Sequence, residues 1–296
     1  KNKDLFFWTC DLSRNSGEGK LASFFLEDLK KKYNIKKIKK FRFNINFIEK
    51  VLNYKYFLPF IGIIYCWKYH IKKKAVVYVN YLPLWNFLIF LLLPPKAKIG
   101  PITGGALYER SSIIRSIIFP ILYKLSGIIL YFRGYDLIFS TNLLKKYLSN
   151  KIIQKSKFNY LIKKFNFKNK KFRKRYDFLV YFRKHNNKKF PLNLIRNLIY
   201  KGFKVNVVGD RLDFPKVKNH GFLSNKKIIN LQAKAKYSIF SSENIYTIFT
   251  LECITNNVLI LIDKSNNYKL DFFKKSFIKI NFNNLKELSK LKLISQ

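Results

Sequence analysis

Two carboxylates and a short run of polar residues lie within residues 241–252 (SSENIYTIFTLE). Glu243 comes directly after a predicted strand, at the entrance to a predicted helix, and Glu252 lies about two and a half helical turns further along. Backbone N–H groups at a helix N-terminus attract anions such as phosphate. The amides that would do so here belong to Ile245, Tyr246 and Thr247.

These two acids also have a purely structural interpretation. Glu243 could be a first-turn acid that is favourable to the helix dipole, and Glu252 could be an ordinary surface acid. Acids are scarce, however, because the chain has 16 of them against 59 lysines and arginines. Leu251 and Cys253 flank Glu252 on a mainly apolar helix, which makes simple solvation a poor explanation for this acid.

Two glycine-rich turns follow predicted strands in the first half of the chain. One contains Gly17 and Gly19, after an apolar run at residues 5–10, and the other is the segment GPITGG, which ends in Gly104 and Gly105. Glycines let the backbone approach a ligand closely, but a single GxG is as often an ordinary turn between strand and helix. Two such turns at the edge where open α/β sheets bind ligands predict a binding role.

The elements around these residues alternate between strand and helix. The first half is predicted to hold strands at 5–10, 75–79, 98–102 and 135–140 and helices at 20–33, 84–93, 111–131 and 143–148. The second half is predicted to hold strands at 178–182, 204–208, 236–241 and 258–262 and helices at 192–200, 226–235 and 246–255, and segments 277–280 and 285–293 finish the chain. Such alternation is typical of α/β domains with parallel sheets.

A basic segment separates the two runs of elements. Residues 151–175 hold eleven lysines or arginines and no acid, with little periodicity. The sequence therefore predicts a Rossmann-like domain over 1–150, a basic linker over 151–171 and a second Rossmann-like domain over 172–296.

The formal net charge of +43 normally indicates nucleic acid or an anionic membrane as the partner. A genome rich in A and T, which supplies Lys, Asn, Ile, Phe and Tyr at permissive positions, is a competing source of this charge and the one we favour. An RNA-binding surface would interleave aromatic and basic side chains on an exposed strand. Here the aromatic residues lie mainly within apolar runs, so nucleic acid is not the expected partner.

Nothing in the sequence indicates a metal or a cofactor. His70, His185 and His220 show no metal-ligand spacing, and no Asp-x-Asp follows a strand. The three cysteines are far apart and lie in apolar contexts, which is typical of buried reduced thiols and favours the cytoplasm. No signal peptide and no run of about 18 apolar residues is present, so we expect no membrane-spanning helix.

The stretch that begins ENIYTIFTLECITNN resembles the donor-site motif of retaining GT-B glycosyltransferases, the group 1 or family 4 type. In that family two glutamates lie one residue closer together than Glu243 and Glu252 do, and the usual glycines are replaced here by Ile245 and Thr247. With Glu252 in register, Asn244 takes the place of the first glutamate. The resemblance implies that Glu252 holds the ribose of a nucleotide and that Glu243 contacts the sugar.

A second match concerns the predicted strand FLVYF. Family members carry an Arg and a Lys five residues apart after the corresponding strand, and Arg183 and Lys188 have that spacing. The resemblance implies that both contact the donor diphosphate, and that the turns with Gly17, Gly19, Gly104 and Gly105 line the same ligand edge.

The resemblance implies a GT-B fold, in which two Rossmann-like, doubly wound domains face a cleft. It also implies an enzyme that moves a sugar from a nucleotide-sugar donor to a glycan or lipid-linked acceptor, without a metal and with retention of configuration. The second domain would bind the donor and the first the acceptor. Two alternatives stay open, because the altered glutamate spacing also fits a catalytically degenerate GT-B protein, and the charge fits a basic protein that binds a membrane or RNA.

Apolar helices predicted near residues 57–67 and 113–132 lie beside many lysines. Each basic residue close to an anionic membrane contributes about 1 kcal/mol of attraction. The sequence therefore predicts a cytoplasmic protein in peripheral contact with the inner face of the membrane, with a role in polysaccharide or lipopolysaccharide synthesis.

Overall fold

The computed structural model describes residues 3–13, 16–39, 54–79, 82–104, 113–134, 137–165, 172–184, 190–240 and 244–294. The chain divides into two compact units, Lys1–Lys164 and Phe165–Gln296. Each unit has its own parallel sheet and its own hydrophobic core.

The first unit contains a four-stranded parallel sheet with the order β2-β1-β3-β4. Its strands are β1 Asp4–Trp8, β2 Asn34–Lys37, β3 Val76–Tyr78 and β4 Lys98–Ile99. Its helices are α1 Gly17–Lys30, α2 Tyr54–Ile71, α3 Phe87–Leu92, α4 Phe119–Arg133 and α5 Asn150–Lys155. A π-helical turn at Ile114–Ile118 leads into α4, and 3-10 helices lie at Asn142–Tyr147 and Tyr160–Lys164. Parallel bridges from Ile102 to Phe139 and from Ile138 to Lys157 continue the strand pairing beyond β4.

The second unit contains a six-stranded parallel sheet with the order β10-β9-β8-β5-β6-β7. Its strands are β5 Tyr176–Phe182, β6 Val205–Gly209, β7 Val217–Asn219, β8 Ala235–Ile239, β9 Leu259–Asp263 and β10 Phe277–Ile280. Its helices are α6 Leu192–Tyr200, α7 Asn225–Lys234 and α8 Ile248–Thr255, with 3-10 helices at Lys264–Lys269, Lys274–Ser276 and Leu285–Lys290.

The central strands of both sheets contain runs of buried residues. Phe178, Leu179 and Val180 of β5 are fully buried, and so are Val77 and Tyr78 of β3. Consecutive buried apolar residues are typical of parallel strands that are covered on both faces. The predicted α/β class, with two doubly wound parallel sheets, is confirmed.

The structure differs from the sequence prediction at two short strands and one turn. β2 (NIKK) and β7 (VKN) are polar strands at sheet edges, and their composition hides them from a hydrophobic pattern. Gly17 and Gly19 were expected in a turn but lie in the first turn of α1, because Ser16 caps that helix by accepting a hydrogen bond from Gly19 N.

Part of the predicted linker carries regular structure. Residues 151–164 include most of α5 and the 3-10 helix Tyr160–Lys164, in which Tyr160 and Leu161 are buried. Tyr160 Oη donates a hydrogen bond to Asp28 of α1 at 2.6 Å, and Lys164 pairs with the same carboxylate. The boundary between the compact units falls after Lys164, within the basic linker predicted over 151–171.

Within the described residues, no helix is both long enough and apolar enough to cross a bilayer.

Candidate functional site

The second sheet reverses its strand order between β5 and β8. From β5 the chain moves to β6 and β7 on one side, and then returns to β8, β9 and β10 on the other. In open α/β sheets the loops that leave the carboxyl ends of the strands at such a reversal diverge and form a ligand crevice. Arg183 follows β5 and Asn244 lies in the segment that follows β8, so both belong to this crevice.

Arg183 is held in place by two neighbours. Its Nε lies 3.8 Å from Asp210 Oδ2, and its guanidinium lies 4.8 Å from the centre of the Phe222 ring. The side chain keeps 44% of its surface exposed. A planar guanidinium oriented on a ring and a carboxylate, with N–H groups still open to solvent, is suited to a phosphate ligand.

Asp210 fixes the beginning of the loop after β5. Its backbone N donates to Phe182 O at 2.9 Å, and its Oδ2 accepts from Lys184 N at 2.6 Å. The preceding residue, Gly209, has φ +102°, and a Cβ there would lie 2.2 Å from Phe182 O. Only glycine allows β6 to end this close to β5, so the position of Asp210 depends on Gly209.

Residues 244–247 form the turn that caps α8. Asn244 Oδ1 accepts from Tyr246 N at 3.1 Å, and Thr247 Oγ1 accepts from Thr250 N at 3.2 Å. The side chains of Ile245 and Tyr246 are buried, and Tyr246 Oη is bonded to the backbone of Phe272. Ile245 and Tyr246 therefore fix the turn through packing, and their side chains are not open to a ligand.

Glu252 lies on α8 with 8% of its surface exposed. The backbone O of Glu252 accepts hydrogen bonds from Asn256 N and Asn256 Nδ2. Burial of the neighbouring Cys253 thiol, and then the charge of Glu252, raise the pKa of that thiol. Gln232 and Asn256 are buried close by. The Glu252 side chain is thus nearly buried, close to the polar side chains of Gln232 and Asn256.

The Tyr181 and Phe249 rings connect α8 to β5. Their centroids are 5.4 Å apart with an angle of 28° between the planes. Tyr181 precedes Arg183 by two residues, and Phe249 precedes Glu252 by three residues on a helix, where such pairs are neighbours. The contact therefore packs the side of α8 that carries Glu252 against the end of β5 that leads to Arg183.

Three predicted site residues, Glu243, Lys188 and Gly105, lie outside the described residues. Their roles remain predictions from the sequence.

In the first unit, the loop before α1 is organised around Asp11. Its carboxylate accepts hydrogen bonds from Ser13 N at 2.6 Å and from Ser16 Oγ. A Cβ at Gly19 would lie 2.1 Å from Ser13 O, so this glycine is needed for the protein's own loop to pack on the helix. The Asp11 carboxylate thus lies beside Ser16, the residue that caps α1.

Glu18 lies in the first turn of α1. Partial desolvation of the Glu18 carboxyl and, to a smaller extent, the negative charge of Asp11 raise the pKa of Glu18 to about 7. The residue still contacts solvent. A carboxyl group with a pKa near neutrality can exchange protons at physiological pH.

The second glycine turn is also shaped by backbone contacts. A Cβ at Gly100 would lie 2.2 Å from Val79 O, and Gly104 has φ +146°. Thr103 N donates to Leu82 O at 2.8 Å, and Leu84 N donates to Thr103 O at 2.8 Å. These glycines bring the ends of β3 and β4 together at the carboxyl edge of the first sheet.

The structure thus brings Arg183, Asn244 and the face of α8 that carries Glu252 to one edge of the second sheet. Gly17, Gly19 and Gly104 belong to the first unit, where Gly19 packs against the backbone at Ser13 and Gly104 has a positive φ. Sequence reasoning missed Asp210 and Phe222, which orient Arg183, although Asp210 follows a strand and its position could have suggested it. In the part of the chain that the structure describes, no three His, Cys, Asp or Glu side chains are grouped as metal ligands would be.

No model of a known protein family matches the chain, and no curated protein does. Several solved structures are similar in overall form. The E. coli heptosyltransferase WaaC with ADP-2-deoxy-2-fluoro heptose is 11% identical with a TM-score of 0.33, and the match covers 97% of this chain and 96% of that one. A Methanocaldococcus jannaschii UDP-GlcNAc 2-epimerase in complex with UDP-GlcNAc and UDP is 12% identical with a TM-score of 0.48, covering 97% and 90%. The iron-containing glycosyltransferase TibC of enterotoxigenic E. coli is 10% identical with a TM-score of 0.32, covering 94% and 63%. At these identities and TM-scores the likenesses do not argue for an activity of this chain.

Proposed function

We propose that this protein is a GT-B glycosyltransferase that moves a sugar from a nucleotide-sugar donor to a glycan or lipid-linked acceptor. The transfer is metal-independent and retains the configuration of the sugar. The donor binds to the second unit. The observation that carries this proposal is the strand-order reversal at β5 and β8, with Arg183 half exposed at its edge.

Sugar transfer needs a cation at this place. The glycosidic bond breaks through an oxocarbenium-like state while negative charge grows on the leaving phosphate. Arg183, which Asp210 and Phe222 already orient, stabilises that charge without reorganisation during the reaction. Lys188 would add a second cation, and the capped N-terminus of α8 would add backbone N–H groups.

The carboxylates would hold the rest of the donor. Glu252 would accept hydrogen bonds from the ribose hydroxyls, and Glu243 or Asn244 would contact the sugar. Carboxylate and amide oxygens accept hydroxyl hydrogen bonds, which agrees with these assignments.

The test is titration of the protein with a panel of nucleotide sugars by calorimetry, comparing wild type with Arg183→Ala. Loss of one charged hydrogen-bonding partner of a diphosphate should weaken donor binding by about 1.5–3 kcal/mol. Arg196→Ala is the matched control, because its guanidinium also stacks on a phenylalanine, Phe214 at 5.2 Å, but from α6. The proposal fails if no donor binds, or if both variants bind the donor equally.

A catalytically degenerate GT-B protein is the second candidate. The near-complete burial of Glu252 and its altered spacing from Glu243 favour it. Donor binding without transfer to any acceptor in a product assay would support this candidate. Product formation in the presence of EDTA, with the anomeric configuration read by NMR, would support the metal-independent retaining enzyme.

A further inference from the structure

The first unit exposes large apolar side chains on one group of helices. Among the described residues, every exposed large hydrophobic side chain of this unit lies on α2, on α3 or between Ile113 and the end of α4. We call this set the apolar face. Its members are Phe57, Ile64, Trp67, Ile71, Leu88, Leu91, Leu92, Ile113, Ile114, Ile117, Ile118, Ile121, Leu125, Ile128, Tyr131 and Phe132.

α4 is apolar on the side that faces solvent. Ile121, Leu125, Ile128 and Phe132 follow one another at intervals of three or four residues, which places them on one side of the helix, and all are exposed. The buried side carries Tyr123, Ser126, Gly127 and Leu130. A helix at the surface of a soluble domain normally carries polar and charged residues on the side that faces solvent.

Close packing explains the small residues on the buried side of α4. A Cβ at Gly127 would lie 2.6 Å from Tyr147 O, so the helix approaches that backbone too closely for a larger residue. The side of α4 that contains Gly127 is therefore fixed against the backbone at Tyr147, and the isoleucines lie on the other side.

Hydrogen bonds hold the three helices together and make the face continuous. Arg133 Nη1 at the end of α4 donates to Phe90 O at 2.8 Å and to Leu93 O at 2.9 Å, at the end of α3. Trp67 Nε1 of α2 donates to Leu92 O at 2.7 Å. Exposed side chains of α2, α3 and α4 consequently meet around the C-terminus of α3.

The described segments that carry the apolar face bear charges of one sign. The segments 54–79, 82–104 and 113–134, which carry the face, contain no Asp or Glu. Lys72, Lys73, Lys96 and Lys124 are exposed on these segments. Contiguous apolar patches rimmed by charge are uncommon on monomeric soluble proteins and mark contact surfaces.

Compositional bias does not produce this pattern. An A- and T-rich genome supplies Lys and Asn at exposed positions as readily as it supplies Ile and Phe. Yet the exposed stripe on α4 contains no asparagine, whereas α6 and α7 of the second unit place Asn193, Asn197, Asn225 and Asn230 among their residues.

We propose that the apolar face inserts into the interfacial region of a bilayer that contains anionic lipid, so that α2, α3 and α4 lie on the membrane and do not cross it. Partly buried apolar helices with a basic rim bind in this way, through apolar area and attraction to anionic headgroups. The orientation that results presents the first unit to substrates in the membrane. The surface stands on the geometry of the first unit alone and does not require the proposed sugar transfer.

The test measures binding of the whole chain to vesicles by flotation, comparing phosphatidylcholine with phosphatidylcholine that contains about 30% phosphatidylglycerol. Wild type should bind the anionic vesicles more tightly, and raising NaCl from about 0.1 M to about 0.5 M should weaken that binding. The combined variant Ile121→Gln, Ile128→Gln and Phe132→Gln should lower the partition coefficient on the order of tenfold or more. All three side chains are more than half exposed, so the variant should fold as wild type does.

The matched control removes exposed apolar side chains from the second unit. Tyr200→Gln, Tyr268→Gln and Leu293→Gln change side chains that are at least half exposed, and binding to vesicles should stay unchanged. Trp67 supplies an independent readout, because brominated acyl chains should quench its fluorescence, and Trp67→Phe should reduce the quenching. Trp8 is buried and Trp85 is half-buried against Phe119, so the difference between wild type and Trp67→Phe reports the contact of Trp67.

Three results would overturn the proposal. They are failure of wild type to bind either vesicle, equal binding by the α4 variant and wild type, and a wild-type dimer that the α4 variant turns into a monomer without any effect on vesicles. The last result would assign the face to a second copy of the chain. Titration of the α4 variant with nucleotide sugars separates this proposal from the proposed function, because its donor affinity should equal that of wild type whatever happens at the vesicle.

Discussion

At the scale of single residues, Arg183 shows how the second unit prepares a cation for a ligand. An ion pair with Asp210 and a cation–π contact with the Phe222 ring hold the Arg183 guanidinium in one orientation. Since 44% of the side chain stays exposed, the ion pair with Asp210 contributes little to stability by itself. The ion pair instead orients the Arg183 side chain before a ligand binds, so that less side-chain entropy is lost on binding.

Replacing Glu252 by Gln keeps the shape of the side chain but removes its charge. If Glu252 accepts hydrogen bonds from two ribose hydroxyls, donor affinity should fall by about 1.5–3 kcal/mol. Isothermal titration with the tightest nucleotide sugar of the panel measures the change. Asp213→Asn is the control, because it also removes one negative charge from the second unit but at a side chain that is 70% exposed. Equal affinities of wild type and Glu252→Gln would show that this buried carboxylate is structural.

At the scale of elements, Gly209 lets β6 and β5 end side by side. Gly209→Ala forces a side chain into φ +102° and places its Cβ 2.2 Å from Phe182 O. Backbone strain and overpacking should together lower the free energy of unfolding by roughly 2–4 kcal/mol. Chemical denaturation followed by circular dichroism measures this loss.

The control for Gly209 is Gly202→Ala, since Gly202 has φ +84° but no atom within 4 Å of an added Cβ. It should lose only about 1 kcal/mol, the cost of the backbone conformation alone. A similar loss of unfolding free energy in both variants would mean that the close approach of residue 209 to Phe182 O does not contribute to stability.

The carboxylate of Asp28 joins α1 to the 3-10 helix at the end of the first unit. Partial burial opposes its ionisation, but hydrogen bonds from Lys164 and Tyr160 outweigh that effect and lower the pKa of Asp28. A lowered pKa stabilises the folded state above the ordinary pKa of an aspartate, and this contribution is lost as the pH falls through the folded-state value.

Asp28→Asn should therefore lower the free energy of unfolding by about 1 kcal/mol at neutral pH, because the pair is partly exposed. The difference from wild type should shrink as the pH is taken below the ordinary pKa of aspartate, about 4. Urea titrations at a series of pH values test this. A difference that persists at low pH would assign the effect to packing and not to charge.

At the scale of the whole molecule, the chain consists of two units that each bury a core. The second unit places Phe178, Val180, Val207 and Leu261 in one cluster, and its six strands pair only with one another. A fragment that begins at Phe165 should fold alone and unfold cooperatively. Thermal melting followed by near- and far-ultraviolet circular dichroism checks this, and a fragment without a cooperative transition would show that the unit depends on the rest of the chain.

The net charge of +43 also acts on the whole molecule. Lysines spread over both units repel one another. At 0.1 M salt this repulsion is largely screened between charges that are more than about 10 Å apart. On the first unit the same charges border the apolar face, where they favour an anionic surface. The abundance of lysine has one origin in composition, but its effect depends on where the fold places it.

The sequence by itself determined the α/β class, most strand and helix positions, and the place of Arg183 after β5. These follow from local patterns, because periodicity and turn residues are properties of neighbouring positions. It failed at β2 and β7, since short polar edge strands gain their structure from the strand beside them and not from their own composition.

Only the tertiary structure decided which partners meet. Asp210 and Phe222 reach Arg183 from other elements, and contacts between such distant positions leave no local pattern in the sequence. The apolar pattern of α4 likewise predicted a helix without saying which side is buried. In the structure the buried side carries Tyr123, Leu130 and Gly127, which lies against the backbone at Tyr147, and the isoleucines of the stripe face outward.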